Sequence, residues 1–516
     1  MAMERRASYG EQMLQTTLGH HTASHGASST NSTTPPWKRF HKRSLTTLKK
    51  YASFIGPGFL ISVAYIDPGN YATDVAAGAT YRFRLLFVVL MSNVFAIFLQ
   101  SLCIKLGSIT GLNLAENIKL HCPKWLNLIL YVFAESAIIA TDIAEVIGTA
   151  IALNLLCPRI PLVAGCAISI VDVLFILIFY RPDGASMRAL RIFECGVMLL
   201  VLGVVVCFCF QLSLLPATVS AGEVFKGYLP SSALVEGKGL YQACGILGAT
   251  VMPHSLYLGS GIIQPRLKEY DRKHDLLPAS TPSIDDDDDN EKDEIYKPSL
   301  AAIKACMSYS IAELGISLFT FALFVNSAIL ITAGASLYSI SGAADADLFG
   351  IHRLLSTSLA PAAGTVFALA LLLSGTSAGI VCTIAGQMVS EGQLDLKVKP
   401  WVRRLMTRSI SITPSIIIAG AVGGPGLSKA LEGTQVALSV ILPFVSAPLL
   451  WFTCRGKYMM AGNGTGGSGD ERAGDGSGQG VQMRNHWFTN VIAVGVWGII
   501  VVMNVALLVL LGLGVH

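Results

Sequence analysis

The chain of 516 residues is 52% hydrophobic and only 14% charged, and its formal net charge is +4. Soluble domains carry about 25% charged residues, so this composition argues against water as the main solvent. The small net charge, without a basic patch interleaved with aromatic residues, excludes nucleic acid as a partner. The sequence therefore predicts a protein that lies mainly in lipid.

The chain begins with a polar segment that is rich in serine and threonine. Residues 1–36 lack the short apolar stretch of a signal peptide, and we expect residues 1–50 to form a disordered cytosolic tail. Eleven cysteines follow without the CxxC spacing of a zinc site. They are expected to be small apolar residues within helices.

Eleven apolar stretches are long enough to cross a bilayer, which takes about 20 residues per helix. Their continuous apolar character predicts helices rather than the alternating strands of a barrel. The predicted crossings are 52–80, 84–108, 126–156, 161–180, 188–215, 240–264, 300–334, 360–390, 406–422, 429–453 and 487–513.

These crossings divide the chain into segments with different expected roles. The predicted segments are a first repeat at 51–216, an extracytoplasmic loop at 217–239, the sixth crossing at 240–265, an acidic cytosolic loop at 266–299, crossings seven to ten at 300–455, a Gly-rich cytosolic linker at 456–485 and the last crossing at 486–516. The acidic run 285–289 could concentrate cations near a pore mouth, or it could be a solvated flexible linker.

Basic residues beside the crossings predict the orientation of the chain. Six lysines and arginines lie between residues 38 and 50, directly before the first crossing, and alternate loops repeat this enrichment. We therefore expect a cytosolic N-terminus and, after an odd number of crossings, an extracytoplasmic C-terminus. The plasma membrane and an endosomal or vacuolar membrane fit this topology equally well.

The first crossing is interrupted in the middle of an apolar run by Asp67-Pro68-Gly69-Asn70. Proline removes a backbone donor, and glycine costs about 1 kcal/mol against alanine in a helix interior. We expect the helix to unwind here, where unwound backbone is tolerated only beside a cavity or a ligand. A carboxylate at this depth also needs a partner. The alternative is a packing kink with a protonated, hydrogen-bonded Asp67.

The sixth crossing has a matching interruption, which runs from Gly248 to Met252-Pro253-His254. The two interruptions lie five crossings apart, so segments one to five and six to ten would form halves of opposite topology. Paired breaks at corresponding positions indicate a transporter substrate site at the midplane of the membrane.

The donor atoms at the two breaks limit the class of substrate that the site can bind. Asp67 and Asn70 offer oxygens, unwound carbonyls near Ala64 and Ala249 offer more, and Met252 offers a thioether. Sulfur is a poor ligand for Ca²⁺ or Mg²⁺, so a mixed site favours Mn²⁺, Fe²⁺ or other transition metals. The alternative for Met252 is a residue that fills a gap in the core.

Proton-driven metal uptake needs titratable groups along a polar path. Three carboxylic acids share one face of the third predicted helix, because their spacings are seven and three: Glu135, Asp142 and Glu145. His254 titrates in the physiological range. Arg403 and Arg404 could pair with Asp142 and Glu145. A static ion-pair network that joins helices is the alternative, and both can hold.

These motifs resemble one family, the natural resistance-associated macrophage proteins (Nramp), which are divalent metal transporters. The resemblance covers roughly residues 50–455 and is carried by the two interruptions, by the stretch 374–387 and by Glu391-Gly392. The segment 252–260 is most similar to fungal members of the family.

The resemblance implies an all-α, LeuT-like fold of two inverted five-helix repeats with an additional eleventh helix. It implies proton-coupled import of Mn²⁺ or Fe²⁺ into the cytosol by alternating access. It makes Asp67, Asn70 and Met252 side-chain ligands, and Ala64 and Ala249 carbonyl ligands. Positions that help to close or hydrate the site are Gln435 and Asn326. Positions of the proton network are His254, Glu135, Asp142, Glu145, Arg266, Arg403 and Arg404.

Two positions depart from the bacterial pattern of the family. Ser255 and Gly259 stand where many bacterial members have asparagine and a second histidine. This departure leaves the exit branch of the proton route open.

Rival functions remain on the same sequence. Sodium-coupled transport of an amino acid or an organic cation would use Asp67 to hold an ammonium group, but Met252 would then have no role in binding sodium or the substrate. A metal sensor would need longer cytosolic segments than these. No dinucleotide fingerprint, P-loop or HExxH motif is present, so we expect neither an enzyme nor a cofactor. The expected partners are a divalent metal, protons and membrane lipid, with a monomeric chain whose cytosolic loops could bind regulators.

Overall fold

The computed structural model describes residues 56–171, 187–217, 219–276, 296–340, 342–343, 346–394, 400–461 and 481–513. The predicted N-terminal tail, the acidic run and most of the Gly-rich linker lie outside these ranges. Within them the chain is almost entirely helical, as the continuous apolar runs predict.

The first half of the chain folds into seven described helices. They are α1 (Pro57–Val63), α2 (Pro68–Tyr81), α3 (Leu86–Thr110), α4 (Leu114–His121), α5 (Lys124–Leu156), α6 (Leu162–Ile168) and α7 (Met187–Ser213).

The second half adds eleven helices and a small sheet. The helices are α8 (Ala221–Lys226), α9 (Gly239–Thr250), α10 (Pro253–Gly261), α11 (Gln264–Lys273), α12 (Leu300–Ser317), α13 (Leu323–Ser336), α14 (Leu348–Ser358), α15 (Pro361–Leu394), α16 (Pro400–Ala421), α17 (Gly424–Cys454) and α18 (Trp487–Gly512). A 3₁₀ turn spans Ser232–Val235, and a π-helix, Leu318–Ala322, joins α12 to α13. Strands β1 (Met460–Ala461) and β2 (Val481–Gln482) pair antiparallel.

Eight helical segments of the described chain are long and apolar enough to cross a membrane. They are Leu86–Thr110, Lys124–Leu156, Ala189–Ser213, Gly239–Lys273, Leu300–Ser336, Pro361–Leu394, Gly424–Cys454 and Trp487–Gly512. The other predicted crossings fall on the broken pair α1–α2, on α6 and on the shorter apolar helix Leu405–Ala421. The number eleven therefore stays a prediction.

Two structural details concern the predicted acidic loop at 266–299. Helix α10 ends at Gly261, and a separate helix, α11, runs from Gln264 to Lys273 and so extends into this segment. Buried Asp271, near the end of α11, accepts hydrogen bonds from the hydroxyl of Tyr296 at 2.7 Å and from the backbone N–H of Ser299 at 3.0 Å. Part of the predicted acidic loop is thus helix and anchored backbone.

The helices pack around a largely apolar core that also holds buried polar groups, and much of their outer surface is apolar. Large hydrophobic side chains face outward, for example Val494, Val502 and Val509 of α18, which are more than half exposed. Buried charged and amide side chains lie inside, on α2, α5, α10 and α17. Buried charged groups together with an apolar outer surface suit a protein whose surrounding solvent is lipid.

Helix packing places the two interrupted segments at the centre. Helices α15 and α17 pack against α5, α13 packs against α2, and α17 packs against α9. Glycine permits one of these contacts, because a Cβ at Gly148 of α5 would lie 2.3 Å from Cβ of Pro68. The first residue of α2 is therefore pressed against the middle of α5.

Candidate metal site between two broken helices

The first break lies between α1 and α2. Pro68 begins α2 and has no N–H, so the carbonyl of Ala64, four residues earlier, loses its helical donor. Asp67 and Asn70 cap α2 reciprocally: the backbone N–H of Asn70 donates to Oδ1 of Asp67 at 3.0 Å, and that of Asp67 donates to Oδ1 of Asn70 at 3.1 Å. Oδ2 of Asp67 is buried and has no hydrogen-bond partner in the described chain.

Side chains from two other helices support the unwound backbone. Nδ2 of Asn326 in α13 donates to the carbonyl of Tyr65 at 3.1 Å. The hydroxyl of Ser374 in α15 donates to the carbonyl of Ile66 at 2.7 Å. The break is therefore a fixed structure, and Asn326, which the sequence placed near the site, contacts its backbone.

The second break separates α9 from α10 and repeats the same logic. Pro253 begins α10, so the carbonyl of Ala249, four residues earlier, also loses its helical donor. Met252 stands directly before α10 and is fully buried, and it packs against Ala137 of α5 and Leu438 of α17. Both carbonyls that the sequence analysis proposed as ligands are thus freed by a proline at the same spacing.

One turn of α17 meets both breaks. A Cβ at Gly69 would lie 2.2 Å from the side-chain carbon Cδ of Gln435, and a Cβ at Gly248 would lie 2.0 Å from the backbone oxygen of Gln435. At Gly248 only glycine allows this approach, because the neighbouring atoms belong to the backbone. The candidate ligand side chains around this turn are completely buried: Asp67, Asn70, Met252 and Gln435.

A large polar cavity approaches this region from one end of the molecule. It has a volume of about 740 Å³ and is lined by α2, α9, α17 and the start of α14. Its lining residues include Thr73, three residues after Asn70, and Gly245, four residues before Ala249. The cavity thus comes within one helical turn of both breaks, from the side that the sequence predicts to be extracytoplasmic.

The opposite side is closed by a buried polar cluster that two helices, α3 and α10, form with the first break. Nε2 of Gln100 in α3 lies 2.9 Å from the hydroxyl of Tyr65 and 2.9 Å from the hydroxyl of Ser255, and these two hydroxyls are also 2.9 Å apart. A Cβ at Gly259 would lie 1.9 Å from Oε1 of Gln100. Both positions that depart from the bacterial pattern therefore serve this cluster. Gly259 leaves room for the side chain of Gln100, and Ser255 supplies one of the two hydroxyls that it contacts.

A second closure ties the start of α1 to α12. The carboxylate of Glu313 accepts hydrogen bonds from the backbone N–H groups of Gly56 at 3.0 Å and Gly58 at 2.8 Å. Nearby, Arg266 forms a buried ion pair with Glu194 of α7 at 3.1 Å. The sequence analysis put Arg266 in the proton network, but its described ion-pair partner is Glu194 and not a carboxylate of α5. Glu194 and Glu313 were missed, although each is a charge within an apolar run.

The carboxylates of α5 meet an arginine that the sequence analysis did not select. Arg408 of α16 contacts the carboxylate of Asp142, and its guanidinium lies 3.5 Å from the carboxylate of Glu145. The side chains of Arg403 and Arg404, the expected partners, lie outside the described residues. Ligand atoms of Asp142, Glu145 and Cys382 lie within 4.8 Å of one another, but the cationic Arg408 already contacts both carboxylates.

A hydroxyl on α5 contacts two residues of the second break and also donates to the carbonyl of Ala137 at 3.0 Å. Oγ1 of Thr141 lies 3.3 Å from Nδ1 of His254 and 4.0 Å from the sulfur of Met252. Thr141 directly precedes Asp142 in the chain. Glu135 lies farther along α5 and is half-buried. Thr141 was missed because a single threonine in an apolar helix carries no sequence signal.

Comparisons with known proteins agree with this geometry. The profile of a family described as "Natural resistance-associated macrophage protein-like" matches residues 58–463. The chain is 51% identical over 496 residues to "Manganese transporter SMF1" of Saccharomyces cerevisiae. This alignment covers 90% of this chain and 86% of that protein. It is 53% identical over 416 residues to "Iron transporter SMF3" of the same organism. That alignment covers 80% of this chain and 84% of that protein.

A solved structure shares the fold. The crystal structure of the Eremococcus coleocola manganese transporter, in complex with an aromatic bis-isothiourea substituted compound, superposes with a TM-score of 0.69. The two chains are 29% identical, and the match covers 93% of this chain and 90% of that one. This match confirms the all-α, LeuT-like fold that the resemblance predicts.

Proposed function

The chain belongs to the natural resistance-associated macrophage protein (Nramp) family, and we propose that its metal ion binds between the two broken helices. It is a multi-pass membrane protein and not an enzyme. Its function is proton-coupled transport of divalent transition-metal ions, Mn²⁺ or Fe²⁺, by alternating access. What remains to be assigned is the role of individual residues.

We assign the metal ligands to Asp67, Asn70 and Met252, with the carbonyls of Ala64 and Ala249. The observation that carries this assignment is the buried oxygen Oδ2 of Asp67, which has no hydrogen-bond partner in the described chain. A buried carboxylate that lacks a partner is costly, and a bound dication supplies that partner. Oδ1 of Asn70 accepts one hydrogen bond and keeps a second lone pair for the metal.

Gln435 and Asn326 serve this site in different ways. Oε1 of Gln435 is buried without a hydrogen-bond partner in the described residues and lies on the turn of α17 that contacts both breaks. It is therefore placed to close over the ion or to hold a water. Asn326 positions the backbone of the first break through the carbonyl of Tyr65.

The proton path begins at His254 and continues along α5. Thr141 lies between the imidazole of His254 and the thioether of Met252, and the next residue is Asp142, which pairs with Arg408. We propose that a proton leaves the metal region by way of His254 and reaches the carboxylates of α5, with the hydroxyl of Thr141 positioning the imidazole. The ion pairs also join α5 to α16, so the static and the titrating roles coexist here.

The finer cellular assignments are also proposals. Basic segments beside the crossings support a cytosolic N-terminus and an extracytoplasmic C-terminus. The cavity of about 740 Å³ then opens outward, and import ends in the cytosol. We propose that the chain works as a monomer without a cofactor, in the plasma membrane or an endosomal or vacuolar membrane.

Uptake of Mn²⁺ into proteoliposomes tests the assigned site. Asp67→Asn keeps the size of the side chain and a capping oxygen but removes the negative charge, and we expect uptake to fall to the level of empty vesicles. Asp347→Asn is the matched control, since Asp347 lines the outer cavity and lies outside the proposed ligand set. Uptake by Asp67→Asn at the wild-type rate would contradict the assignment.

A further inference from the structure

A second large cavity lies on the lipid-facing side of the molecule, apart from the metal site. It is a groove of about 660 Å³ between the start of α5, the second half of α17 and α18. Its walls are almost entirely aliphatic and aromatic, and include Leu126, Phe133, Phe444, Ala447 and Val501. A volume of this size is typical of ligand pockets.

The walls of this groove are fixed by specific contacts. The rings of Phe133 and Phe444 stack with centroids 4.7 Å apart and planes within 9° of parallel. The indole N–H of Trp497 donates to the carbonyl of Pro443 at 2.9 Å and so ties α18 to α17. The groove is therefore preformed and does not depend on a ligand to open it.

One end of the groove is strongly basic. The segments that surround this end, 117–134, 451–461 and 481–490, contain no aspartate or glutamate. Exposed cations of these segments include Lys124, Arg455, Lys457 and Arg484, and none of these four forms an ion pair with a carboxylate of the described residues.

Aromatic rings join this basic end to the apolar walls. The guanidinium of Arg455 lies 3.4 Å from the ring centroid of Trp451, and the ring of Tyr458 lies 4.8 Å from that of His121. Trp451, Tyr458 and His121 also line the groove. Aromatic residues of this kind lie at the level of lipid headgroups.

We propose that this groove binds an anionic glycerophospholipid, with the headgroup at Arg455 and Lys457 and an acyl chain between α17 and α18. Basic pockets between membrane helices are suited to anionic headgroups. A sterol would fill the apolar walls, but its neutral hydroxyl would leave the cations without a counter-charge. Charge complementarity therefore selects the phospholipid.

The position of the groove links this lipid to transport, and that part of the inference rests on the proposed function. On the neighbouring face of α17, the hydroxyl of Ser439 donates to Oδ1 of Asn504 in α18 at 2.9 Å. The backbone nitrogen of Ser439 would lie 2.8 Å from a Cβ at Gly248, at the second break. A lipid that packs against α17 and α18 in this groove thus adds contacts to the helix that meets both breaks.

Native mass spectrometry of the full chain, titrated with palmitoyl-oleoyl phosphatidylserine, phosphatidylcholine or ergosterol, tests the binding step. We expect retention of phosphatidylserine at several-fold lower concentration than phosphatidylcholine. The double variant Arg455→Ala/Lys457→Ala should lose this preference. The control Arg272→Ala/Lys273→Ala removes the same charge from α11 and should keep it. Equal retention of the two phospholipids, preferential retention of ergosterol, or an unchanged preference in the groove variant overturns the proposal.

A second pair of variants tests the acyl-chain groove. Ala447→Phe fills the groove and should reduce retention of phosphatidylserine several-fold, whereas Gly495→Leu adds an apolar side chain to α18 where a new Cβ meets no atom within 4 Å and should not. Retention by Ala447→Phe equal to wild type overturns the placement.

Mn²⁺ uptake into phosphatidylcholine vesicles with and without phosphatidylserine then tests the link to transport. We expect faster uptake with phosphatidylserine, and no such gain for Ala447→Phe. Equal uptake in both vesicles overturns the link. If uptake fails in every vesicle while lipid retention persists, the proposed function fails and the lipid site stands.

Discussion

The two oxygens of Asp67 have separate tasks. Oδ1 accepts the backbone N–H of Asn70 and so ends the unwound segment, while Oδ2 remains without a hydrogen-bond partner in the described chain. Oδ1 of Asn70 in turn accepts a hydrogen bond from the backbone N–H of Asp67. The residues that fix the local backbone are therefore the ones that supply donor atoms, and an amide at position 67 separates the structural role from the charge.

Met252 is expected to set the preference for transition metals. Met252→Leu keeps an apolar side chain of similar volume against Ala137 and Leu438, so the cost in folding free energy should be about 1 kcal/mol or less. The thioether is lost, and with it the ligand that Ca²⁺ binds poorly. We expect Ca²⁺ to inhibit Mn²⁺ uptake at several-fold lower concentration than in the wild type.

The control for this experiment is Met388→Leu. Met388 is a partly buried methionine near Gly261 and lies outside the proposed ligand set. Competition by Ca²⁺ should not change in this variant. If Met252→Leu also leaves competition by Ca²⁺ unchanged, sulfur has no part in selectivity.

Thr141 is expected to couple metal binding to proton movement. Thr141→Val keeps the branched shape but removes the hydroxyl that lies 3.3 Å from Nδ1 of His254. We expect Mn²⁺ uptake to persist while its acceleration by an inward proton gradient falls several-fold. Uptake at two external pH values measures this effect, and Thr357→Val, on the exposed part of α14, is the matched control. A wild-type pH dependence in Thr141→Val would remove the hydroxyl from the path.

Local chemistry determines which site residues the sequence could predict. Asp67, Asn70 and Met252 adjoin prolines in apolar runs, and this signal does not depend on any neighbouring helix. Arg408 pairs with Asp142 because of the way α16 packs against α5. No local sequence pattern distinguishes Arg408 from the arginines at 403 and 404. Partners across helices depend on packing and rotation, which one sequence does not specify.

At the scale of helices, the approach of α17 to both breaks depends on glycine. A Cβ at Gly248 would lie 2.0 Å from the backbone oxygen of Gln435, and backbone atoms cannot move aside as a side chain can. Gly248→Ala should therefore push α17 away from α9 at a cost of about 1–3 kcal/mol. We expect Mn²⁺ uptake to fall at least tenfold and the Tm of the purified protein to fall by a few degrees.

Gly433→Ala is the matched control for this helix contact. It lies on α17, two residues before Gln435, and a new Cβ there meets no atom within 4 Å. We expect unchanged uptake and an equal or slightly higher Tm, because alanine favours a helix over glycine. Wild-type uptake in Gly248→Ala would show that the close contact is not needed for transport.

Composition and continuous apolar runs predicted most of the helices but not all of their ends. The sequence predicts an acidic loop from residue 266, yet the chain is helical in α11 as far as Lys273. A charged amphipathic helix carries no membrane signal, and its end is stabilised by Asp271, whose partners lie 25 and 28 residues later. Contacts of this range are fixed only when the whole chain has folded.

Across the whole molecule, the two sides of the site differ in packing. On one side a cavity of about 740 Å³ reaches within a turn of both breaks. On the other side, Tyr65, Gln100 and Ser255 form a buried hydrogen-bonded cluster, and Glu313 holds the start of α1. Alternating access requires that these closures open together. In the orientation proposed above, each hydrogen bond in them therefore stabilises the outward-facing state over the inward-facing one.

Gln100→Ala is therefore expected to shift the chain toward the inward-facing state. The variant loses hydrogen bonds to Tyr65 and Ser255, each of which contributes about 0.5–1.5 kcal/mol. Because about 1.4 kcal/mol corresponds to a tenfold change in a population, the open state should become about tenfold more populated. Cys103 reports the opening, because it is fully buried and its Cβ would lie 3.3 Å from a Cβ at Gly259. N-ethylmaleimide should alkylate Cys103 about tenfold faster in the variant, as peptide mass spectrometry can measure.

Two controls make this result specific to the inner closure. Gln242→Ala removes a hydrogen bond of similar kind between α9 and α2 on the cavity side, at 3.1 Å to the hydroxyl of Thr80, and should not raise the reactivity of Cys103. Cys166, buried where α6 packs on α5, should remain unreactive in every variant, since its alkylation would report unfolding. If Cys103 reacts no faster in Gln100→Ala than in Gln242→Ala, the hydrogen-bonded cluster does not hold the inner side shut, and the closure must depend on apolar packing or on Glu313.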